Sequence, residues 1–269
     1  MDLRSFAKSH LPAPVNDALK LAKYNFDLWT FPKEIVSHRY GPHRLQMHIH
    51  DRVAKEWYDR DWELPPEIAF LERHGLDDGA LVFDLGAHQC LIAMMLGKQA
   101  APKGHVVAVE ANRHNVLVAE RNIALNRVDN VTVMHAMISN RAGRDRAATS
   151  FNSSHGASAI AGDMVDTLTI DDMSDQLGRP RVVFMDIEGF EIEALKGARE
   201  TLSHPCTWFV ELHGDDTLGR YGSANREVLR FFSADRFTAY VCREDEQEFL
   251  PLSGDLPAER CFLVFVPAA

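Results

Sequence analysis

The spacing of apolar and polar positions divides this chain near residue 79. Beyond that point short apolar runs alternate with segments of helical period. They read as strand 81–84, helix 89–100, strand 105–110, a helix at about 114–125 and strand 131–138. Strands separated by helices in this way predict a parallel sheet covered by helices. A polar stretch, Asn140–Gly162, interrupts the alternation and has no helical period. Met164–Ile170 then reads as a short extra strand and Asp171–Leu177 as a short helix. Strand 181–186 leads into helix 190–203, and strand 206–212 ends at His213. A helix at 224–233 and strands near 236–242 and 260–266 close the chain. The last two strands have no clear crossover helix between them, so an antiparallel edge is expected. With 164–170 set aside, the pattern predicts an α/β, Rossmann-like sheet of seven strands whose last strand is antiparallel.

Residues 1–78 read as an N-terminal, mainly helical extension or cap before a domain spanning 79–269. Val15, Leu19, Ala22 and Phe26 recur at helical spacing after Pro12 and Pro14. The aromatic end of that helix, Tyr24 to Phe31, is expected to pack on its own domain. It could instead cover the active site, touch a lipid surface or form a homodimer contact. Leu45–Ile49 alternates like a strand, which puts His48 and His50 on one face. A shared metal there is conceivable, but a solvated face is the expectation. Trp57, Tyr58 and Trp62 precede a helix at about Pro66–His74 and could frame a substrate pocket or plug the domain.

Composition narrows the partners. The 269 residues are 46% hydrophobic and 25% charged, an ordinary globular mix. A net charge of −10 argues against nucleic acid as the main ligand. No apolar run approaches the roughly 18 residues of a membrane span, and the first residues lack the apolar core of a secretory signal. Cys90, Cys206, Cys242 and Cys261 form no CxxC pair, so buried free thiols in a reducing cytoplasm are expected.

The chemistry centres on Leu81–Cys90. A strand ends in Asp84, turns at Gly86 and enters a helix, and ligands of such sheets sit beyond the carboxyl ends of the strands. Strand 105–110 ends in Glu110, which suits hydrogen bonding to a ribose diol. The fingerprint G-x-G-x-x-G is absent, since Gly86 is followed by Ala87, His88, Gln89 and Cys90. Two acidic strand ends around one glycine turn suggest an adenosine-containing, cationic cofactor, and S-adenosylmethionine fits best. The expected cofactor residues are Asp84, Gly86, Ala87, His88, Glu110, Ala111, Asn112, Ala136 and Met137, with Met137 against the adenine.

VFDLGAHQC, VAVEANRHNVLVAERNIALN and FMDIEGFEIEALKGA resemble the motifs of the FkbM methyltransferase family, the third being the most specific. The resemblance covers roughly residues 80–213. It implies a class I methyltransferase sheet and O-methylation of hydroxyls on small metabolites, sugars, glycans or polyketide-like acceptors. Two positions depart from the family's usual pattern: His88 where Asn is usual and Cys90 where Gly is usual. These departures leave open an altered cofactor binding and, with it, a weakened or lost activity.

An alcohol needs a base or a metal to become a nucleophile. The strand-end rim offers Asp186, Glu188 and Glu191, then Glu211 and His213. His213 is the expected base, with Asp186 orienting it, holding the cofactor's amino group or binding a divalent ion. A metal-free site is favoured, because the rim lacks the paired aspartates that hard cations prefer. Glu188 is the reserve catalytic group. Glu191 could simply favour its helix N-terminus, and Glu193 should face solvent. Asn140–Gly162 is expected to be a mobile flap whose Arg141, Arg144 and Arg146 could meet an anionic acceptor. Two other functions stay open at this point: a nicotinamide-dependent oxidoreductase and a catalytically silent binding module.

Overall fold

The computed structural model describes residues 13–151, 158–244 and 246–268. Helix α1 (Ala13–Thr30) opens it. The antiparallel pair β1 (Glu34–Tyr40) and β2 (His43–Ile49) follows, then the short helices α2 (Arg52–Tyr58) and α3 (Pro66–Leu71). The main sheet begins at β3 (Leu81–Leu85), and α4 (Leu91–Ala100), β4 (His105–Glu110), α5 (Arg113–Asn126) and β5 (Val131–His135) come next. After β6 (Met137–Ile138), β7 (Gly143–Phe151) and β8 (Ser158–Leu168) come α6 (Ile170–Leu177), β9 (Val182–Met185) and α7 (Glu191–Lys196). The chain ends with β10 (Thr207–Leu212), α8 (Asp215–Leu218), β11 (Phe237–Arg243), β12 (Leu250–Pro251) and β13 (Cys261–Pro267).

The sheet has eight strands in the order β12-β11-β13-β10-β9-β3-β4-β5. The eighth is the two-residue β12, too short to leave a periodic signal. From β10 to β5 neighbouring strands are parallel. The antiparallel strand is the last one, as expected, but β13 inserts between β10 and β11 and lies inside the sheet. The order therefore reverses between β3 and β9, where two crossovers leave in opposite directions and open a crevice at the strand ends.

Both faces of the sheet are covered, so the central strands are apolar throughout. Val82, Phe184, Phe209 and Val264 pack on one side with α4 and the N-terminal hairpin. Phe83, Val183, Trp208 and Phe265 pack on the other with Ile192 and Leu195 of α7. The four cysteines are buried free thiols.

Several expectations change. The polar stretch after β6 pairs with the extra strand, since β7 and β8 form an antiparallel ribbon running parallel to β6 at its base. The stretch is polar and still forms strand. The tip of the expected flap, residues 152–157, lies outside the described residues. The helix expected at 190–203 stops at Gly197, where a β-carbon would sit 2.6 Å from the Ser139 carbonyl. The helix expected at 224–233 is a 3-10 segment, Asn225–Arg230. His50 is buried and not solvated; its ring lies 5.2 Å from that of His48 and beside Arg121.

Candidate active site

At the end of β3, Asp84 is 1% exposed, and its Oδ2 meets no hydrogen-bond donor. Burial, reinforced by the charge of Glu110, pushes its carboxyl up to about 7. The chain then turns at Gly86, with φ +92°, where a β-carbon would lie 1.8 Å from the Asp186 carbonyl oxygen. Only glycine fits there. The Gly86 and Ala87 N–H groups both donate to the Val109 carbonyl, at 2.9 and 3.0 Å, which stitches the turn to β4.

Glu110 ends β4. Its Oε2 accepts from the His88 N–H at 2.9 Å and its Oε1 from the Asn112 N–H at 2.7 Å. Burial still pushes its carboxyl up to about 7. Asn112 caps α5 by accepting from the His114 N–H and donates to the Tyr24 hydroxyl of α1 at 3.3 Å. The Ala111 carbonyl is 3.1 Å from His135 Nε2, the Ala136 N–H donates to the Glu110 carbonyl at 3.2 Å, and Met137 is half-buried. The nine residues expected around a cofactor thus sit on the adjacent ends of β3, β4 and β5.

This half of the rim fits S-adenosylmethionine on its own chemistry. A buried carboxylate oxygen without a donor needs a cationic or N–H-bearing ligand. The carboxylate of Glu110 also accepts from the Ala111 N–H and the Asn115 side chain, so a ribose hydroxyl would share it with those donors.

The other half lies at the ends of β9 and β10. His213, with its side chain 10% exposed, directs Nδ1 at Glu191 Oε1, 2.9 Å away. Its Nε2 faces Asp186 Oδ1 at 3.4 Å, Glu188 Oε2 at 3.5 Å and Glu211 Oε1 at 3.4 Å. Burial alone would lower this imidazole. The hydrogen bond to Glu191 and the charges of Asp186 and Glu211 overcome that and push it up to about 10. Burial and then the Glu211 charge push the Asp186 carboxyl well above its usual range, moderated by the 37% of the side chain that still meets solvent.

Sequence reasoning missed Arg260. Its Nε donates to Glu211 Oε1 at 2.7 Å from just before β13. A lone arginine opening an apolar strand was the only signal, and no local pattern says which acid it meets. Glu191 does more than favour its helix end: it is fully buried and also accepts from the Gly189 N–H at 2.9 Å. Glu193 does not face open solvent, because it pairs with Asn140 at 2.5 Å and with Lys196. Donor atoms of Asp186, Glu211 and His213 lie within 4.8 Å of one another, so a divalent ion could be held there. It would compete with the Arg260 guanidinium for Glu211.

Backbone strain marks the same rim. Among the described residues four without glycine's freedom have positive φ, and His88 (48°), Cys90 (64°) and Glu188 (57°) are three of them. Strain of this kind gathers at functional sites. Among the described residues no helix is long and apolar enough to cross a membrane.

The model of the methyltransferase FkbM domain family matches residues 84–240. No curated protein matches the sequence. Solved structures that resemble the chain include a methyltransferase FkbM from Methylobacillus flagellatus, 20% identical, covering 70% of this chain and 44% of its own length, with TM-score 0.45. A SAM-dependent O-methyltransferase from Thermotoga maritima is 13% identical over 90% of this chain and 80% of its own, with TM-score 0.46. Aeropyrum pernix fibrillarin with natively bound S-adenosyl-L-methionine is 11% identical over 71% and 68%, with TM-score 0.45.

Proposed function

The chain belongs to the methyltransferase FkbM domain family, and from that premise we propose that it methylates a hydroxyl of a small metabolite, sugar, glycan or polyketide-like acceptor, with S-adenosylmethionine as donor. The observation that carries this reading is the contact between the two halves of the rim. Gly86 crosses the Asp186 backbone so closely that no side chain fits between them, and the Asp186 N–H donates to the Leu85 carbonyl at 2.9 Å. A ligand held by the β3 turn is thereby next to the acids at the end of β9.

Bound there, S-adenosylmethionine supplies a methyl carbon made electrophilic by a cationic sulfur. Asp84 Oδ2 would accept from the cofactor's cationic end. Glu110 would take the ribose hydroxyls, with Ala111 and Asn112 beside it and Ala136 and Met137 toward the adenine. Methylation of a hydroxyl would release its proton, which needs a base. His213 was the expected base, but the acids around it favour an exchange of roles. An imidazole pushed up to about 10 is protonated at neutral pH and has no lone pair to offer at Nε2. Asp186, whose carboxyl binds a proton more readily than an ordinary aspartate, receives the proton. The His213 imidazolium orients it and balances Glu188 and Glu211.

The site works in this reading without a metal, because Arg260 already neutralises Glu211. The boundary near residue 79 and a homodimer through the N-terminal segment are further parts of the proposal. α1 leaves Leu19, Phe26 and Trp29 exposed, and sedimentation of the full chain tests the dimer. Calorimetry with S-adenosylmethionine and S-adenosylhomocysteine, followed by methyl-transfer assays against hydroxylated metabolites and glycans, tests the function. We expect binding of both compounds and methylated product. Binding of neither would sink the reading.

A further inference from the structure

The turn that follows β3 has positive φ at three positions, Gly86 at +92°, His88 at +48° and Cys90 at +64°, and the last two are strained. Left-handed backbone is unfavourable for a residue with a β-carbon, so His88 and Cys90 need support from outside the turn. Much of that support comes from the N-terminal segment. Tyr58, the last residue of α2 and 4% exposed, places its hydroxyl 2.6 Å from His88 Nδ1. The Tyr58 carbonyl in turn accepts from the Tyr40 hydroxyl, and the Trp57 ring lies 5.5 Å from that of His88. Burial holds the His88 imidazole down at about 4, so the ring is neutral across the physiological range.

One residue on, Gln89 Nε2 donates to Asp51 Oδ2 at 2.6 Å, and the same oxygen is 2.8 Å from His114 Nε2. The Gln89 carbonyl accepts from Asn122 Nδ2 at 3.0 Å, while Asn122 Oδ1 takes the His48 N–H of β2 at 2.8 Å. Two consecutive residues of the turn are therefore tied to α2 and its cap through side chains, and the second also to β2 through Asn122. The His88 N–H is the one that Glu110 accepts, so a shift of His88 moves Glu110 as well.

We propose that Tyr58 and Asp51 are positioning residues that hold His88 and Gln89 in place, so that residues 86–90 keep the left-handed path in which Asp84, the turn and Glu110 together meet S-adenosylmethionine. The inference rests on the cofactor site proposed above. It assigns the N-terminal segment a part in that site, in place of a role as a separate cap.

The test uses the full chain and compares wild type with Tyr58→Phe, Asp51→Asn, His88→Asn and the double variant Tyr58→Phe/His88→Asn. Each is measured by calorimetry with S-adenosylhomocysteine, by melting temperature without ligand, and by hydrogen exchange of a peptide spanning residues 86–90. Tyr58→Phe should weaken binding about tenfold and speed exchange in that peptide, the scale of one left-handed residue losing its support. Asparagine adopts left-handed backbone more readily than histidine. On the His88→Asn baseline, adding Tyr58→Phe should therefore change affinity by less than about twofold. Asp51→Asn keeps a good helix cap for α2 but loses the charge that Gln89 bonds. It should likewise weaken binding, and it covers the case in which Tyr58→Phe fails to fold.

Equal affinity and equal exchange in Tyr58→Phe and wild type would overturn the proposal. So would a fall in melting temperature with affinity intact, since that marks a purely structural contact. If the wild type itself binds no S-adenosylhomocysteine, the cofactor reading fails. The exchange comparison then still decides whether Tyr58 and Asp51 hold the turn.

Discussion

Asp84 and His213 are each shifted by their surroundings in a way that can be measured. Asp84 is raised to about 7 in the folded chain, whereas an unfolded aspartate titrates near 3.8. Between those values the folded state holds the extra proton, so its stability is full below the lower value and is lost as pH rises through the upper one. Asp84→Asn should therefore stabilise the ligand-free protein at pH 8 by roughly 2–4 kcal/mol while weakening S-adenosylmethionine binding. Thermal melts of both proteins at pH 5 and pH 8 check this, and equal gains at the two pH values would contradict it. Glu110→Ala should cost on the order of 2–3 kcal/mol of cofactor binding, from two lost charge-assisted hydrogen bonds. At the other half of the rim, the proposed mechanism requires Asp186 ionised and His213 protonated. Methyl transfer should then rise with pH through a limb above the ordinary carboxylate range and fall again near pH 10. A single rise at an imidazole-like pH, lost in His213→Ala, would return the base role to His213.

At the scale of elements the β3 turn decides most. Gly86→Ala places a β-carbon against a backbone carbonyl at a position with φ +92°, and neither β3 nor β9 can move without unpairing. The variant should lose at least about 2 kcal/mol of stability and most of its cofactor affinity. Calorimetry beside a denaturant curve separates the two losses. The β7–β8 ribbon is a second element of consequence. Arg144 pairs with Asp166 across it at 3.2 Å with both side chains largely exposed, a contact expected to contribute little.

For the whole molecule, the chelator experiment is the simplest discriminator. A site whose Glu211 is neutralised by Arg260 should keep its activity after chelator treatment. Complete loss, restored by magnesium or manganese, would turn Asp186, Glu211 and His213 into ligands and overturn the metal-free mechanism. The same assembly explains why the rim is acidic in a chain of net charge −10: its excess carboxylates face one another and two cations, with a cationic cofactor to come.

Periodicity determined by itself the alternation of strands and helices from Leu81 to His135, the strand-end positions of Asp84, Glu110, Asp186 and His213, and the glycine turn at 86. Each of these is encoded over fewer than ten neighbouring residues, within reach of local pattern. The tertiary structure alone decided the rest. Where β13 inserts, which acid meets Arg260 and which nitrogen of His213 faces which carboxylate depend on contacts between residues distant in sequence. The standing of His88 and Cys90 belongs there too. In the sequence they are departures from a motif, and in the fold they are left-handed residues, His88 propped by a tyrosine 30 positions earlier. Protonation followed the same division, because the residue type sets the ordinary pKa while burial and facing charges, which exist only in the folded chain, move it.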